Sequence, residues 1–333
     1  MSVASHPRLE LVQPEQERSG DDFPAAVLKG LGRRPKALPC RFFYDAEGSR
    51  LFDEITQLSA YYLTRSEQQI LRRNSETIAE ALGDDVSLVE LGGGNSAKTR
   101  LLIEAILNRQ HRLRFTSVDI SAEHLVKSAH DLLRRYKQLN VTAVTGEYRS
   151  AFAHLAKNPP GGPRAFLFLG SNIGNFAELE AIAFLSEIRR LMRPQDALLI
   201  GVDMQKERAI IEGAYNDPEG ITERFNKNLL LRINRELGGR FDPSAFTHHA
   251  PYLPEEGRVE MRLISNLNQQ VEVEALHRTF DFDDCESIHT EDSYKFTPDG
   301  FEGIASSAGF GVSEHWQDEK DWFRLYLLKP AAT

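Results

Sequence analysis

Between residues 86 and 202 the sequence alternates apolar, strand-like runs with amphipathic helical stretches. The strand-like runs cover residues 86–91, 114–118, 141–144, 165–169 and 197–202. Strands that alternate with helices predict a parallel sheet with helices on both faces. The run 165–169 is apolar throughout, as expected of a central strand that is covered on both sides. The sequence therefore predicts an α/β fold with a Rossmann-like, doubly wound sheet.

The first of these strands runs into Gly92-Gly93-Gly94, and a helix opens near Lys98. Glycines at a strand-to-helix turn let backbone N–H groups approach a ligand closely. Three kinds of cofactor site fit this loop: a dinucleotide fingerprint, a P-loop, and the S-adenosylmethionine loop of a class I methyltransferase. A glycine-rich turn that binds nothing is the fourth interpretation of the loop taken alone.

Other residues separate these interpretations. Ala97 stands where a P-loop requires glycine. For a dinucleotide enzyme, the sequence shows no recognisable set of His, Lys or Tyr residues that would serve hydride transfer. Acidic residues follow or end the first three strands: Glu90, Asp119 and Glu147, the last beside Tyr148. Such acids would meet at the carboxyl edge of the sheet, where α/β proteins bind ligands. The pattern favours S-adenosylmethionine.

Composition excludes several classes of protein. The 333 residues carry a net charge of −9, which argues against nucleic acid as a partner. Two cysteines cannot form a disulfide framework, and the ten histidines lack metal-ligand spacing, so no metal is expected. His248 and His249 are expected to be ordinary loop residues. No apolar run approaches the ~18 residues of a membrane helix, which predicts a cytoplasmic protein without a membrane partner.

Two regions break the alternation of strands and helices and predict a second domain. Residues 22–65 are rich in aromatics and lack a strand–helix pattern, and residues 205–294 include two alternating runs, 259–263 and 271–275, predicted to form a hairpin. We expect these segments to form a discontinuous α+β substrate-binding domain. Residues 66–204 and 295–333 would form the cofactor domain, in which Ser66–Gln69 is predicted to be a helix capping box. Residues 1–21 are expected to be a disordered tail.

Several short motifs occur in a fixed order along the chain. They are Phe43-Tyr44-Asp45-Ala46, Leu51-Phe52-Asp53-Glu54-Ile55-Thr56, Tyr61-Tyr62, the loop from Glu90 to Arg100, Gly170-Ser171-Asn172-Ile173-Gly174-Asn175, Ala214-Tyr215-Asn216-Asp217, Glu260-Met261 and Glu291-Asp292-Ser293. In these motifs the chain resembles the histidine Nα-methyltransferases of ergothioneine biosynthesis, from about residue 22 to 329. The match includes the irregular second domain, which generic methyltransferases lack.

The resemblance implies a role for each matching residue. The cofactor contacts would be Gly92, Lys98, Asp119, Glu147 and Tyr148, with glutamate at 147 where the family more often has aspartate. Tyr44 would lie near the transferred methyl group and, with Asn175, would orient the amine. Tyr61, Asn175 and Tyr215 would hold the carboxylate and amine end of the substrate. The imidazole would be held by Glu291 and Ser293 and packed by Met261.

The resemblance also implies an activity. The chain would trimethylate the α-nitrogen of L-histidine with S-adenosylmethionine, giving hercynine and S-adenosylhomocysteine, as a monomer with small-molecule partners only. Three alternatives stay open at this point. One is an N-methyltransferase for another amino acid, such as a tryptophan derivative; another is a non-catalytic S-adenosylmethionine sensor. A dehydrogenase is the third.

Overall fold

The computed structural model describes residues 6–14, 22–94, 96–159 and 161–331. The helices are α1 (Phe23–Gly32), α2 (Ala46–Ile55), α3 (Tyr62–Leu82), α4 (Thr99–Arg109), α5 (Ala122–Arg135), α6 (Tyr148–Lys157), α7 (Glu178–Leu191), α8 (Arg208–Tyr215), α9 (Ile221–Leu237) and α10 (Pro298–Ser307). The strands are β1 (Leu9–Val12), β2 (Lys36–Ala37), β3 (Ser87–Leu91), β4 (Leu113–Asp119), β5 (Leu139–Thr145), β6 (Arg164–Phe168), β7 (Ala197–Asp203), β8 (Phe246–His249), β9 (Tyr252–Leu253), β10 (Arg258–Ser265), β11 (Gln269–Val273), β12 (Arg278–Phe282), β13 (Ser287–Tyr294), β14 (Phe310–Gln317) and β15 (Phe323–Pro330). Within these described ranges, no helix is both long and apolar enough to span a membrane.

The described residues divide into two compact units. One contains the described residues within 1–17, 63–205 and 295–333, and the other contains those within 18–62 and 206–294. In the first unit eight strands form one sheet in the order β1-β5-β4-β3-β6-β7-β15-β14. Strands β1, β3, β4, β5, β6 and β7 are parallel to one another, whereas β15 is antiparallel to β7 and β14 is antiparallel to β15. The predicted doubly wound α/β sheet is confirmed.

The direction in which successive strands are added reverses between β3 and β6. Both strands are buried at every residue, as expected at the centre of a parallel sheet. Loops that leave the carboxyl ends of neighbouring parallel strands collect at one edge, and a ligand crevice opens at such a reversal. The loops after β3, β4, β5 and β6 are therefore the ones placed to bind a ligand.

Part of the segment predicted to be a disordered tail is ordered. Residues 9–12 form β1, which pairs in parallel with β5. The guanidinium of Arg8 fixes the approach by donating to the carbonyl oxygens of Leu133, Tyr136 and Leu139 at 2.7–2.9 Å. The prediction was wrong for these residues because a short, half-exposed strand gains its hydrogen bonds from a distant sheet edge. Residues 1–5 and 15–21 of that predicted tail lie outside the described residues.

The second unit has its own sheet, in the order β2-β13-β10-β8, with β9 also paired to β10. The predicted hairpin between residues 259–263 and 271–275 is wrong. β10 pairs with β13 on one side and with β8 and β9 on the other, while β11 pairs with β12. The backbone after β10 is turned away by hydrogen bonds from Asn266 N–H to Ala245 and from Cys285 N–H to Ser265. The alternation of apolar and polar residues indicates that each strand has one buried face, but it does not identify the strand with which it pairs.

The helix boundary near Ser66 also differs from the prediction. α3 begins at Tyr62, so Ser66 lies inside the helix, and its hydroxyl donates to the Asp318 carboxylate at 3.1 Å. The predicted capping box is therefore wrong. Glu67 instead lies on the buried face of α3 together with Ile70 and Leu71, all three fully buried.

Candidate active site

The glycine-rich turn after β3 comes close to two polar side chains. Gly92 has a φ of +74°, and a Cβ built on it would lie 3.0 Å from the Tyr148 hydroxyl and 3.1 Å from the Asn172 amide nitrogen. The N–H of Gly94 donates to Asp119 Oδ2 at 2.9 Å. Three predicted cofactor residues, Gly92, Asp119 and Tyr148, thus belong to loops at one edge of the sheet. Asn172, which was not predicted as a site residue, belongs to the same edge.

Asp119 is the last residue of β4, and its carboxylate is held by backbone donors. Oδ1 accepts from the N–H of Ser121 at 2.8 Å and Oδ2 from the N–H of Gly94. Burial raises the pKa of Asp119, while these N–H groups favour the charged form. A carboxylate has about four acceptor positions, so two backbone bonds leave capacity for ligand hydroxyl groups.

Glu90 supports the glycine turn from within the sheet. Its carboxyl accepts from the hydroxyl of Thr99, and a Cβ on Gly93 would lie only 2.8 Å from Glu90 Oε2. Burial raises the pKa of Glu90 to about 7, against the opposing effects of the Thr99 hydrogen bond and the Lys98 charge. Glu90 therefore shapes the loop through its contact with the first turn of α4.

Lys98 stands directly before α4, and its ammonium forms an ion pair with Glu67 of α3. The other oxygen of Glu67 accepts from the N–H of Gly170 at 2.8 Å. Sequence reasoning missed Glu67 because it was assigned to a capping box. The signal was present, since Glu67, Ile70 and Leu71 follow the i, i+3, i+4 spacing of a buried helix face.

The turn after β5 presents Glu147 and Tyr148. Glu147 has extended backbone and directly precedes α6, and the N–H of Gly146 donates to the carbonyl of Asp119 at 3.0 Å. The Tyr148 ring packs among Phe152, Phe168 and Phe184, with centroid separations of 5.2–6.3 Å. This aromatic packing fixes the ring while its hydroxyl lies beside Gly92.

The loop after β6 carries Asn175. Gly170 and Ser171 both have left-handed backbone conformations, and residues Asn172–Asn175 then form one turn of 3-10 helix. The Ser171 hydroxyl accepts from the N–H of Asp203 at 2.9 Å. Asp203 in turn forms an ion pair with Lys295 at 3.0 Å, and both side chains are fully buried. The Ser171 hydrogen bond and the ion pair behind it thus hold the base of this loop in place. Asn172 and Asn175 lie in the 3-10 turn that follows.

In the second unit the predicted imidazole contacts share a sheet face. Glu291 and Ser293 are two residues apart on β13, and across the pair Glu291 lies opposite Met261 of β10. The hydroxyls of Ser293 and Tyr215 share a hydrogen bond of 2.7 Å. Tyr61 packs edge-on against Tyr215 at 6.4 Å between centroids. Met261, Ser293, Tyr61 and Tyr215 are buried, while Glu291 is half-buried.

Tyr44 directly precedes Asp45, whose carboxylate caps the first turn of α2 by accepting from the N–H of Gly48 at 2.7 Å. The Tyr44 ring contacts Phe52 and Phe225 at 5.7 and 5.8 Å between centroids. Phe52 also contacts Tyr61 at 6.3 Å. Phe52 was not predicted as a site residue, yet it connects two aromatic rings that were.

His248 lies on β8 rather than in a loop, and it supports Tyr215 from behind. Its Nδ1 accepts from the amide of Asn226 at 2.9 Å, so Nε2 carries the hydrogen that bonds the Tyr215 carbonyl at 2.9 Å. Burial lowers the pKa of His248, which keeps the ring neutral. A neutral histidine with both nitrogens bonded is a rigid support for the tyrosine backbone.

The predicted residues therefore fall into two sets, one in each unit. Gly92, Lys98, Asp119, Glu147, Tyr148 and Asn175 belong to the unit with the large sheet. Tyr44, Tyr61, Tyr215, Met261, Glu291 and Ser293 belong to the other unit. The first set has the character of a nucleotide-type cofactor site, and the second that of a small polar–aromatic ligand site.

The strand order, the glycine turn after β3 and the acid at the end of β4 define a class I methyltransferase that uses S-adenosylmethionine. A family model described as histidine-specific methyltransferase, SAM-dependent, matches residues 23–330. The chain belongs to this family. The predictions of the family, of an S-adenosylmethionine-dependent N-methyltransferase and of its methyl donor are confirmed.

Individual relatives agree with the family assignment. The chain is 43% identical over 301 residues to a histidine N-alpha-methyltransferase of Mycobacterium tuberculosis (strain CDC 1551 / Oshkosh), covering 90% of this chain and 92% of the relative. It is 40% identical to the protein of the same name from Mycolicibacterium smegmatis, with the same coverage. Ergothioneine biosynthesis protein 1 of Schizosaccharomyces pombe is 32% identical over 87% of this chain, which spans 38% of that longer protein.

Replacing Gly92 by alanine should weaken cofactor binding. The added Cβ would force a left-handed alanine and crowd the Tyr148 hydroxyl and the Asn172 amide. We expect the Kd for S-adenosylhomocysteine, measured by calorimetry, to rise about 10-fold or more, since strain of this kind costs roughly 1–3 kcal/mol. Gly303→Ala is the matched control, because a Cβ there meets nothing within 4 Å. Equal affinities of the two variants would contradict this account of the loop.

Replacing Glu90 by glutamine should change how stability depends on pH. With a pKa of about 7 in the fold and 4.5 as its ordinary value, Glu90 binds its proton more tightly when folded. The wild type therefore loses stability relative to Glu90→Gln as pH rises from 4.5 to 7, by about 3 kcal/mol in the limit. Urea unfolding at several pH values measures the difference. The exposed Glu76→Gln is the control, and a pH-independent difference for Glu90→Gln would refute the prediction.

Proposed function

We propose that the chain transfers three methyl groups from S-adenosylmethionine to the α-amino nitrogen of L-histidine, giving hercynine as the first step of ergothioneine biosynthesis. Histidine methylation is the activity of the family to which the chain belongs. That the chain completes three transfers is part of the proposal. The observation that carries the assignment of residues is the polar face that β13 and β10 share in the second unit, with Glu291 opposite Met261 and Ser293 bonded to Tyr215.

This face suits an imidazole better than an indole. A neutral imidazole offers one N–H donor and one nitrogen acceptor, whereas an indole offers a donor only. The Glu291 carboxylate can accept the N–H, and the Ser293 hydroxyl, oriented by Tyr215, can donate to the other nitrogen. An indole lacks that acceptor, so it would forgo this hydrogen bond to the ligand, worth about 0.5–1.5 kcal/mol. Histidine is therefore favoured over a tryptophan derivative.

The remaining roles in the second unit follow the family resemblance. We assign Tyr61 to the substrate carboxylate, because a phenol hydroxyl can donate to a carboxylate without an arginine. Tyr215, whose hydroxyl hydrogen bonds to Ser293 when Ser293 donates to the imidazole, is assigned to the amine, from which its oxygen can accept. Tyr44, held by Phe52 and Phe225, is assigned to the neighbourhood of the transferred methyl. Asn175 is assigned to the amine. The unit of residues 18–62 and 206–294 is accordingly proposed to be the histidine-binding domain.

S-adenosylmethionine supplies an electrophilic methyl group on a sulfonium. Asp119 retains acceptor capacity for ribose hydroxyls, and Glu147, one methylene longer than aspartate, is assigned to the adenine amino group. The close approach of the Tyr148 hydroxyl and the Asn172 amide to Gly92 makes a narrow cradle that a side chain at position 92 would fill. The chain's contribution is then alignment of nitrogen with methyl carbon, worth ~7–11 kcal/mol of the barrier. The amine attacks in its neutral form, and each ammonium formed by the first two transfers loses a proton to solvent before the next transfer, so no strong base of the chain is assigned.

Two finer points complete the proposal. We place the protein in the cytoplasm, which is supported by its free Cys40 and Cys285, as expected in a reducing compartment. We also propose a monomer, because one chain supplies every residue assigned to the donor and to the acceptor. Light scattering of the purified protein measures the latter.

The product of the reaction tests the function directly. Purified protein incubated with L-histidine and S-adenosylmethionine should yield histidine carrying the mass of three additional methyl groups, detected by mass spectrometry. Tryptophan in place of histidine should give no methylated product. Binding of S-adenosylhomocysteine without any mass gain on histidine would instead identify a non-catalytic sensor and reject the proposal.

Replacing Glu291 by alanine should selectively impair the use of histidine. The loss of a charged acceptor for the imidazole N–H costs about 1.5–3 kcal/mol, which lowers kcat/KM for histidine roughly 10- to 100-fold. Binding of S-adenosylhomocysteine should be unchanged. The exposed Glu272→Ala, in the same unit, is the matched control. Full activity of the Glu291 variant on histidine would remove Glu291 from the imidazole site.

A further inference from the structure

We propose that Glu67 is a positioning residue for methyl transfer, which holds Lys98 and the loop beginning at Gly170 in one fixed arrangement. The inference rests on the proposed function, in which Asn175, on the Gly170 loop, is assigned to the amine; the family resemblance assigns Lys98 to the cofactor. Glu67 itself is assigned no contact with either reactant. It acts through the two groups that its carboxylate binds.

The Glu67 carboxylate uses one oxygen for each loop. Oε2 binds the Lys98 ammonium, and Oε1 accepts from the N–H of Gly170 at 2.8 Å. The side chain is fully buried on α3, whereas Lys98 keeps 24% of its side chain exposed. The carboxylate therefore joins the loop after β3 to the loop after β6, on the two strands between which the sheet order reverses.

The surrounding chain leaves room for this carboxylate. A Cβ on Gly201 of β7 would lie 2.2 Å from Glu67 Oε1, and the ring of Phe323 would be 3.1 Å away. Any larger residue at 201 would displace the carboxylate oxygen that accepts from Gly170. The glycine is thus part of the same arrangement, although it makes no polar contact.

A second buried ion pair in the unit, between Asp196 and Arg164, provides a comparison with a pair whose role is structural only. Asp196 binds the guanidinium and the backbone N–H of Arg164 and also the N–H of Arg193. Those groups lie at the amino ends of β6 and β7, the edge opposite the glycine turn. Burying an ion pair is costly and gives little net stability. Glu67 is likewise fully buried, but at the edge where both functional loops lie.

The two bonds of Glu67 can be separated chemically. Glutamine keeps an oxygen for the Gly170 N–H but removes the charge that attracts Lys98. Alanine removes both. A positioning role therefore predicts that Glu67→Gln impairs the methyl donor alone, whereas Glu67→Ala impairs donor and acceptor together. A merely structural role predicts no such division.

Calorimetry with S-adenosylhomocysteine and steady-state kinetics test the proposal. We expect Glu67→Gln to raise the Kd of S-adenosylhomocysteine about 10-fold and the KM for S-adenosylmethionine in parallel, the cost of one displaced charged contact. The KM for histidine should change less than about twofold, but it should rise about 10-fold in Glu67→Ala. In a Lys98→Met background, Glu67→Gln should add little to the Kd, because the interacting partner is already gone.

Two further variants test whether the changes in KM and Kd arise from displacement of the Glu67 carboxylate or from general loss of folding. Gly201→Ala leaves Glu67 chemically intact but displaces its Oε1, so it should reproduce a rise in both KM values. Asp196→Asn breaks the buried pair at the opposite edge and should lower Tm without changing the Kd of S-adenosylhomocysteine. Together they separate displacement of the carboxylate from general destabilisation of the unit.

The outcomes distinguish this inference from the proposed function. If the wild type binds S-adenosylhomocysteine and Glu67→Gln binds it equally well, the positioning role is overturned while the function stands. Additive effects of Glu67→Gln and Lys98→Met would also overturn it. If the wild type binds S-adenosylhomocysteine but does not methylate histidine, the proposed function fails, and the Kd series still decides the role of Glu67.

Discussion

The parallel register of the large sheet is the constraint on which the rest of the site depends. Because β3, β4, β5 and β6 run in the same direction, the segments that follow them all emerge at one edge. That edge receives the glycine turn, Asp119, Glu147 and the Asn175 loop without any requirement for proximity in sequence. Hydrogen bonds and ion pairs within this unit then shape each loop. Most of those interactions are made by buried acids.

The carboxylates of Asp119, Glu67 and Glu90 are each withdrawn from water, and each is stabilised by different donors. Asp119 is stabilised by two backbone N–H groups, Glu67 by an ammonium and one N–H, and Glu90 mainly by the Thr99 hydroxyl. Burial raises the pKa of Glu90 to about 7, and the Thr99 hydroxyl bond offsets only part of that rise. An acid that is close to neutral suits a supporting role, whereas Asp119, bonded to backbone donors, keeps acceptor capacity for a ligand.

Sequence reasoning recovered the sheet because its signal is local. Each strand and helix from β3 to β7 carries its own periodicity, and Asp119 and Glu147 follow from where the strands end. It failed where a structure depends on a distant partner. β1 pairs with β5 far along the chain, and β10 pairs with β13 instead of the nearer β11. Glu67 was missed for a similar reason, since its partners Lys98 and Gly170 lie 31 and 103 positions away.

The proposed threefold methylation constrains where specificity can reside. The first two transfers each leave the neutral amine with one N–H fewer, so groups that recognise the amine by accepting hydrogen bonds lose partners as the reaction proceeds. The imidazole and the carboxylate do not change during the sequence. Discrimination among amino acids must therefore rest on groups such as Glu291 and Ser293, whose bonds persist through all three steps. The hydroxyls of Tyr215 and Ser293 share a hydrogen bond, so a residue assigned to the amine is joined directly to a residue whose contact with the imidazole stays the same through all three steps.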